Sequence, residues 1–176
     1  MTHVVLVGMM GTGKTTAGRI LAERLGAAFS DSDEVIESRT GHTVKQISGE
    51  EGEEAFRAHE TQALLDALAS PVPHVVAAAG GVVLRESNRE ALRSADAHVV
   101  WLRADPALLV DRALSAGHRP LLDDDPAGTL QRMFRERENL YLEVADAVVD
   151  VDGRDVNQVV DAVVEAITQL ADVAEP

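Results

Sequence analysis

Apolar positions along this chain follow two alternating rhythms. Short apolar-rich runs lie over 4–7, 27–29, 74–79, 98–102 and 147–151, with His74, His98 and Asp150 their polar positions, each the length of a buried strand. Between them come longer segments whose apolar residues return every three or four positions: 15–25 with Ile20, Leu21 and Leu25, then 53–68, 130–144 with Met133, Leu140 and Val144, and 156–170. Shorter helical stretches are predicted over 43–48 and 88–92, and another opens at Asp105-Pro106 and runs to about 116, with proline at its first helical position. Gly26 and Thr40-Gly41-His42 interrupt the pattern, as do Pro71 and Pro73. Strand and helix alternate from end to end, which predicts an α/β fold on a mostly parallel sheet. A chain of 176 residues is expected to be one domain, 1–176, with a frayed tail over 171–176.

Composition narrows the picture. Aromatic residues make up only 3% of the chain, so the core must be built from Ala, Val and Leu. The formal net charge of −14 speaks against a nucleic acid or an anionic membrane as partner, but not against a small anionic substrate met by a few clustered arginines. Without cysteine there is no disulfide and no thiolate chemistry. No apolar run approaches a membrane span and no signal peptide is apparent, so the cytoplasm is the expected compartment.

The first strand leads directly into Gly8-Met9-Met10-Gly11-Thr12-Gly13-Lys14-Thr15-Thr16, and a helix follows. Glycines at this spacing let the backbone curl so that successive N–H groups face a phosphate, and the helix adds its positive end at the same spot. Lys14 can reach β- and γ-phosphates, and the Thr15 hydroxyl can ligate Mg²⁺. This is a nucleoside-triphosphate phosphate site.

Other candidates cluster at predicted strand ends. Ser30-Asp31-Ser32-Asp33 places two carboxylates where α/β sheets bind ligands. Alternatively, Ser32 or Asp33 caps the next helix, a role for which Asp31 is not needed. Arg57 and Glu60, at i and i+3, face the same way and could be only a surface ion pair. Gly80-Gly81 marks either close approach of a ligand or backbone, or a tight turn. The segment 117–126, with Gly117, two prolines and three consecutive aspartates, reads as a mobile loop, and Arg119 is the charge it could deliver to a triphosphate.

Together these residues resemble the shikimate kinases, small P-loop kinases related to the nucleoside monophosphate kinases. The likeness spans essentially the whole chain. It rests on G-M-M-G-T-G-K-T-T, S-D-S-D, E-A-F-R-A-H-E, the glycine pair, G-H-R-P-L-L and R-E-R-E-N-L-Y, in that order. The resemblance implies a three-layer P-loop NTPase fold: a five-stranded parallel sheet in the order 2-3-1-4-5, helices on both faces, a substrate-binding region about 31–60, and a mobile lid about 117–126. It implies ATP and Mg²⁺ as cofactors and phosphorylation of the 3-hydroxyl of shikimate, a step of aromatic amino-acid biosynthesis, by a monomer.

Residue by residue, the resemblance gives Gly11, Thr12, Gly13, Lys14, Thr15 and Thr16 to the phosphates, Thr15 and Asp31 to Mg²⁺, and Arg112 to adenine. Lys14, Asp33 and Arg119 become catalytic, with Arg119 also on ATP. Asp33, Arg57, Gly80, Gly81 and Arg137 become the acceptor site, with Glu60 holding Arg57. Where the family usually has three glycines after the third strand, this chain has Ala79 first. If that position needs positive φ, alanine is strained; if it is strand-like, only the methyl matters. The departure therefore bears on the acceptor more than on the reaction. The alternatives are a kinase of a related polyol, cyclitol or gluconate-like acid, and a non-catalytic nucleotide-binding module. Intact Lys14, Thr15, Asp31 and Arg119 argue against the second.

Overall fold

A computed structural model of the chain describes residues 2–115 and 125–174. Five strands, β1 (His3–Val7), β2 (Ala28–Asp31), β3 (His74–Ala77), β4 (Ala97–Arg103) and β5 (Ala147–Asp150), form one parallel sheet in the order β2-β3-β1-β4-β5. The helices are α1 (Lys14–Leu25), α2 (Ser32–Thr40), α3 (Val44–Glu50), α4 (Glu53–Leu68), α5 (Glu86–Ser94), α6 (Pro106–Ser115), α7 (Pro126–Val144) and α8 (Val156–Ala174), with a short 3₁₀ turn at Val82–Leu84. The fold class and strand order match the expectation.

Topology fixes where the chemistry can sit. The chain leaves β1 toward β2 on one side and later crosses from β3 to β4 on the other. Right-handed crossovers then place helices on opposite faces, and α1 packs with α8 on one side while α5 and α6 pack with α7 on the other. Where the direction of winding reverses, the carboxyl ends of β1 and β3 open a crevice. Val5, Leu6 and Val7 of β1, Val76 of β3 and Val100 of β4 are fully enclosed, which explains why these strands read as unbroken apolar runs. A separate small cluster of Ile36, Ile47 and Ala63, with Val35, Val44 and Phe56 packed on it, ties α2, α3 and α4 together. Phe56 therefore belongs to this satellite core and not to the main one.

Several boundaries differ from the sequence reading. The β2 ladder continues through Ser30 and Asp31, so the first acidic residue ends a strand. β3 stops at Ala77, although the Ala78 N–H still donates to the Leu6 carbonyl at 3.0 Å. Helix α7 starts four residues early: Pro126 occupies its first turn and the Asp125 carboxylate accepts from the Gly128 N–H at 2.9 Å. Two residues assigned to the lid thus cap and open a helix, and the rest of the segment, with Arg119, lies outside the described residues. The expected tail is helical through Ala174, because no breaker precedes Pro176 and alanines continue the turn at little cost. No helix among the described residues is long and apolar enough to cross a membrane.

Candidate active site

The phosphate loop curls through three glycines at positive φ: Gly8 at 144°, Gly11 at 83° and Gly13 at 88°. Gly8 is compelled twice, since a Cβ there would lie 2.5 Å from the Leu102 carbonyl oxygen of β4. Gly13 is the N-cap of α1 and offers no side chain to its N–H groups, and the first turn of α1 holds no acidic residue. The positive end of the helix is therefore left for an anion. The Lys14 ammonium folds back onto the loop, donating to the Gly8 carbonyl at 2.8 Å and the Met9 carbonyl at 2.9 Å. Thr12 is buried and its hydroxyl donates to the Met9 carbonyl at 2.9 Å, so it braces the loop from inside.

Beside the loop, the two oxygens of Asp31 do different things. One accepts from the Asp33 N–H at 2.9 Å and, more weakly, from the Glu34 N–H at 3.4 Å, which makes Asp31 the N-cap of α2. The other accepts from the Thr15 hydroxyl at 2.6 Å. The alternative that Ser32 or Asp33 caps the helix without Asp31 is thereby corrected: the longer β2 shifts the cap position back to Asp31. Capping and ligand chemistry coincide in one carboxylate. Asp33 occupies the first turn of α2, with its side chain toward the crevice.

The acceptor side is assembled from α4, α7 and the turn after β3. Arg57 donates to Glu60 at 2.6 Å and to Glu53 at 3.1 Å. Glu60 is only 2% exposed, so this is a buried pair and not surface decoration. Burial pushes the Glu60 carboxyl above its ordinary range; Arg57 pulls it down, while the nearby Asp33 carboxylate adds to the upward push. Burial pulls the Arg57 guanidinium down, but Glu60 and Glu53 outweigh it and raise it overall.

The glycine pair has a structural reason. A Cβ on Gly81 would lie 2.6 Å from Cζ of Arg57, and one on Gly80 would press on the Gly8 carbonyl at 3.3 Å. Neither glycine has positive φ; close approach of neighbouring groups, not turn geometry, is what favours glycine at both positions. Arg137 is buried on α7 and donates through Nη1 to the Gly80 carbonyl at 3.2 Å, while its Nε finds no acceptor. Tyr141, one turn later, donates to the same carbonyl at 2.6 Å. Burial holds the Tyr141 phenol up at about 12 against the opposing pull of Arg137, so it is a donor throughout the neutral range.

A cavity of about 260 Å³ joins the two halves. Met10, Lys14, Thr15, Asp31, Asp33 and Arg112 line it, with Gly11, Gly13, Thr16 and the stretch 77–80 completing the wall. Ala79 is 8% exposed and has no positive φ, so it carries no backbone strain and its methyl forms part of the floor. A larger hollow of about 340 Å³ lies at the opposite end of the strands, lined by residues such as Leu25, His74, His98 and Ile167, with no carboxylate, lysine or arginine in its wall. Charge and hydrogen-bonding capacity single out the smaller cavity. The structure thus gathers the phosphate-loop residues, Asp31, Asp33, Gly80 and Arg112 at one wall, with Arg57, Gly81 and Arg137 against the Gly80 turn.

The shikimate kinase family model matches residues 10–168. The chain is 43% identical over 170 residues to the shikimate kinase of Symbiobacterium thermophilum, covering 95% of this chain and 97% of that protein. It is 43% identical over 171 residues to that of Pseudomonas entomophila, covering 97% and 98%. Among solved structures, shikimate kinase from Acinetobacter baumannii in complex with shikimate superposes with a TM-score of 0.91 at 35% identity, over 96% of this chain and 94% of that one. A gluconokinase from Sinorhizobium meliloti shares the fold at a TM-score of 0.68 and 21% identity, over 97% and 94%. The sheet order, the phosphate loop and the full-length likeness agree: this chain belongs to the shikimate kinase family.

Proposed function

We propose that this protein transfers the γ-phosphoryl group of ATP to the 3-hydroxyl of shikimate. The observation that carries this reading beyond nucleotide binding is the convergence of Arg57, Arg137 and Asp33 on the turn and crevice beside the phosphate loop. Two guanidiniums suit a planar carboxylate, and a carboxylate facing the crevice suits a hydroxyl.

In this reading the attacking oxygen donates its hydrogen bond to Asp33, which aligns it with the γ-phosphorus. A new P–O bond forms as the bond from the γ-phosphorus to the β–γ bridging oxygen breaks, the hydroxyl proton is lost through Asp33 to solvent, and ADP leaves. Lys14 leaves the loop carbonyls for the β- and γ-phosphates, while the N–H groups at the start of α1 hold the rest. Arg57 and Arg137 fix the acceptor by its carboxylate, with Glu60 holding Arg57, so that the transfer becomes effectively intramolecular. Gly80 and Gly81 let the acceptor ring and Arg57 come close to the backbone. Arg112 packs on adenine, and Arg119 adds charge at the transferred group.

The Thr15 hydroxyl is a hard oxygen ligand suited to Mg²⁺, and Asp31, hydrogen-bonded to it at 2.6 Å, would hold the ion through water. Among the described residues no group of three or more His, Cys, Asp or Glu could hold a metal alone, so ATP oxygens would complete its shell. Bound there, Mg²⁺ supplies charge neutralisation on the phosphates. The reading is of a monomeric, cytoplasmic enzyme acting on a small molecule.

The test is a coupled ADP-release assay with Mg-ATP and shikimate. Shikimate-dependent turnover is expected. Turnover only with gluconate or a cyclitol, or ATP binding without turnover on any acceptor, overturns the reading.

A further inference from the structure

The Gly80 carbonyl is the meeting point of two side chains on α7. Arg137 and Tyr141 stand at i and i+4, on one face of the helix, and both donate to this oxygen. They are unequal. The Tyr141 bond, at 2.6 Å, is at the short end for a hydroxyl donor, whereas the Arg137 bond, at 3.2 Å, is at the long end for N–H. Tyr141 is fully buried, and its ring stacks on Trp101 of β4 at 5.5 Å between centroids and 23° between planes. Trp101 lies opposite Val7 in the ladder, immediately before the phosphate loop. The hydroxyl is thus held by the sheet and aimed at one oxygen.

A buried carbonyl needs at least one donor, and losing its only one is costly. With Tyr141 in place, the Gly80 oxygen stays satisfied when Arg137 moves. Without that hydroxyl, Arg137 would be its single side-chain donor, and each departure of Arg137 toward a ligand would strand the carbonyl. We propose that Tyr141 is a positioning residue for the acceptor carboxylate: its hydroxyl satisfies the Gly80 carbonyl and so releases Arg137 to bind the acceptor. The inference rests on the proposed function for the identity of the acceptor.

Tyr141→Phe keeps the ring and its stacking and removes only the hydroxyl. KM for shikimate is expected to rise about tenfold, the size of one lost hydrogen bond, while kcat and KM for ATP change less than about twofold. In an Arg137→Ala background the same substitution strands the Gly80 carbonyl and is expected to lower the melting temperature, but to leave KM for shikimate at the value of Arg137→Ala alone, since there is no guanidinium left to release. In the otherwise wild-type protein an unchanged KM for shikimate, or a parallel decline of kcat, both KM values and melting temperature, would overturn the proposal, as would a KM effect that persists without Arg137.

Tyr141 is the only tyrosine, so 3-fluorotyrosine labels it alone and keeps the hydroxyl. Its single ¹⁹F resonance is expected to move with shikimate in the wild-type background and to stay fixed in Arg137→Ala. A resonance indifferent to shikimate overturns the proposal even if Tyr141→Phe fails to fold. If the wild type phosphorylates a different carboxylated polyol, the proposed function falls and the Tyr141 inference is decided by the same ratios on that acceptor.

Discussion

The guanidinium of Arg57 fills the space that a side chain on Gly81 would need. The clash is with the tip of a flexible side chain, so the fold can absorb it, but only by moving Arg57 off Glu60. Gly81→Ala is therefore expected to cost about 1 kcal/mol or less in stability while raising KM for shikimate more than about tenfold. Denaturant titration and steady-state kinetics on the same preparation separate the two. A large stability loss with unchanged KM would mean that Arg57 does not serve the acceptor.

Asp31 offers a cleaner dissection because asparagine caps helices about as well as aspartate. Asp31→Asn is expected to leave the melting temperature nearly unchanged while kcat falls and the Mg²⁺ requirement rises. Asp31→Ala loses the cap as well and should cost roughly a further 1 kcal/mol. Equal stability of the two variants would show that the cap contributes nothing; Mg²⁺ dependence identical to wild type in Asp31→Asn would remove the carboxylate from the metal site.

Glu60 carries a pH signature. Its carboxyl titrates above its ordinary value of 4.5 because burial disfavours the charge. Between those two values the folded protein binds more protons at this site than the unfolded chain does, so stability from this group is full below the ordinary value and declines as pH rises through the raised one. The stability of wild type minus that of Glu60→Gln is therefore expected to fall with rising pH from about 4.5 upward, measured by urea unfolding. A difference that grows with pH would reverse the assignment.

Gly8 tests the loop geometry. Gly8→Ala places a methyl group against the Leu102 carbonyl in a backbone region alanine avoids. It is expected to lose about 1–3 kcal/mol of stability and to weaken ATP binding by calorimetry, with shikimate binding less affected. Lys14→Ala should instead keep stability and lower kcat by roughly 10²–10³, the scale of removing one preorganised donor. Wild-type turnover in the lysine variant would end its catalytic role.

Most of the framework was legible because the central strands β1, β3 and β4 are enclosed on both faces and so appear as apolar runs, as in Val5-Leu6-Val7. The phosphate loop was legible because its backbone shape demands glycine at fixed intervals. What sequence reading missed depends on contacts through space. Tyr141 sits at an apolar position of α7 and looks like core; only its bond to Gly80, far away in the chain, gives it a role. Asp31 was denied the cap because the end of β2 could not be placed within two residues. The start of α7 was hidden because Asp125-Pro126, a sound helix opening, closes an acidic stretch that reads as loop. Glu60 became more than an exposed partner once burial was visible.

The stretch from Ala77 to Gly81 is a platform with nothing on it. Its side chains are methyls or hydrogens, and the groups to which the proposed function gives acceptor choice, Asp33, Arg57 and Arg137, reach it from helices α2, α4 and α7. Helices α2 and α4 rest on each other and, with α3, on a small core of their own, whereas α7, the platform and the phosphate loop are held by the main core. Under the proposed function, the α2–α4 share of acceptor choice is thus written apart from the transfer of phosphate, so a lineage can rewrite it by trading residues of those two helices while the rest stands still.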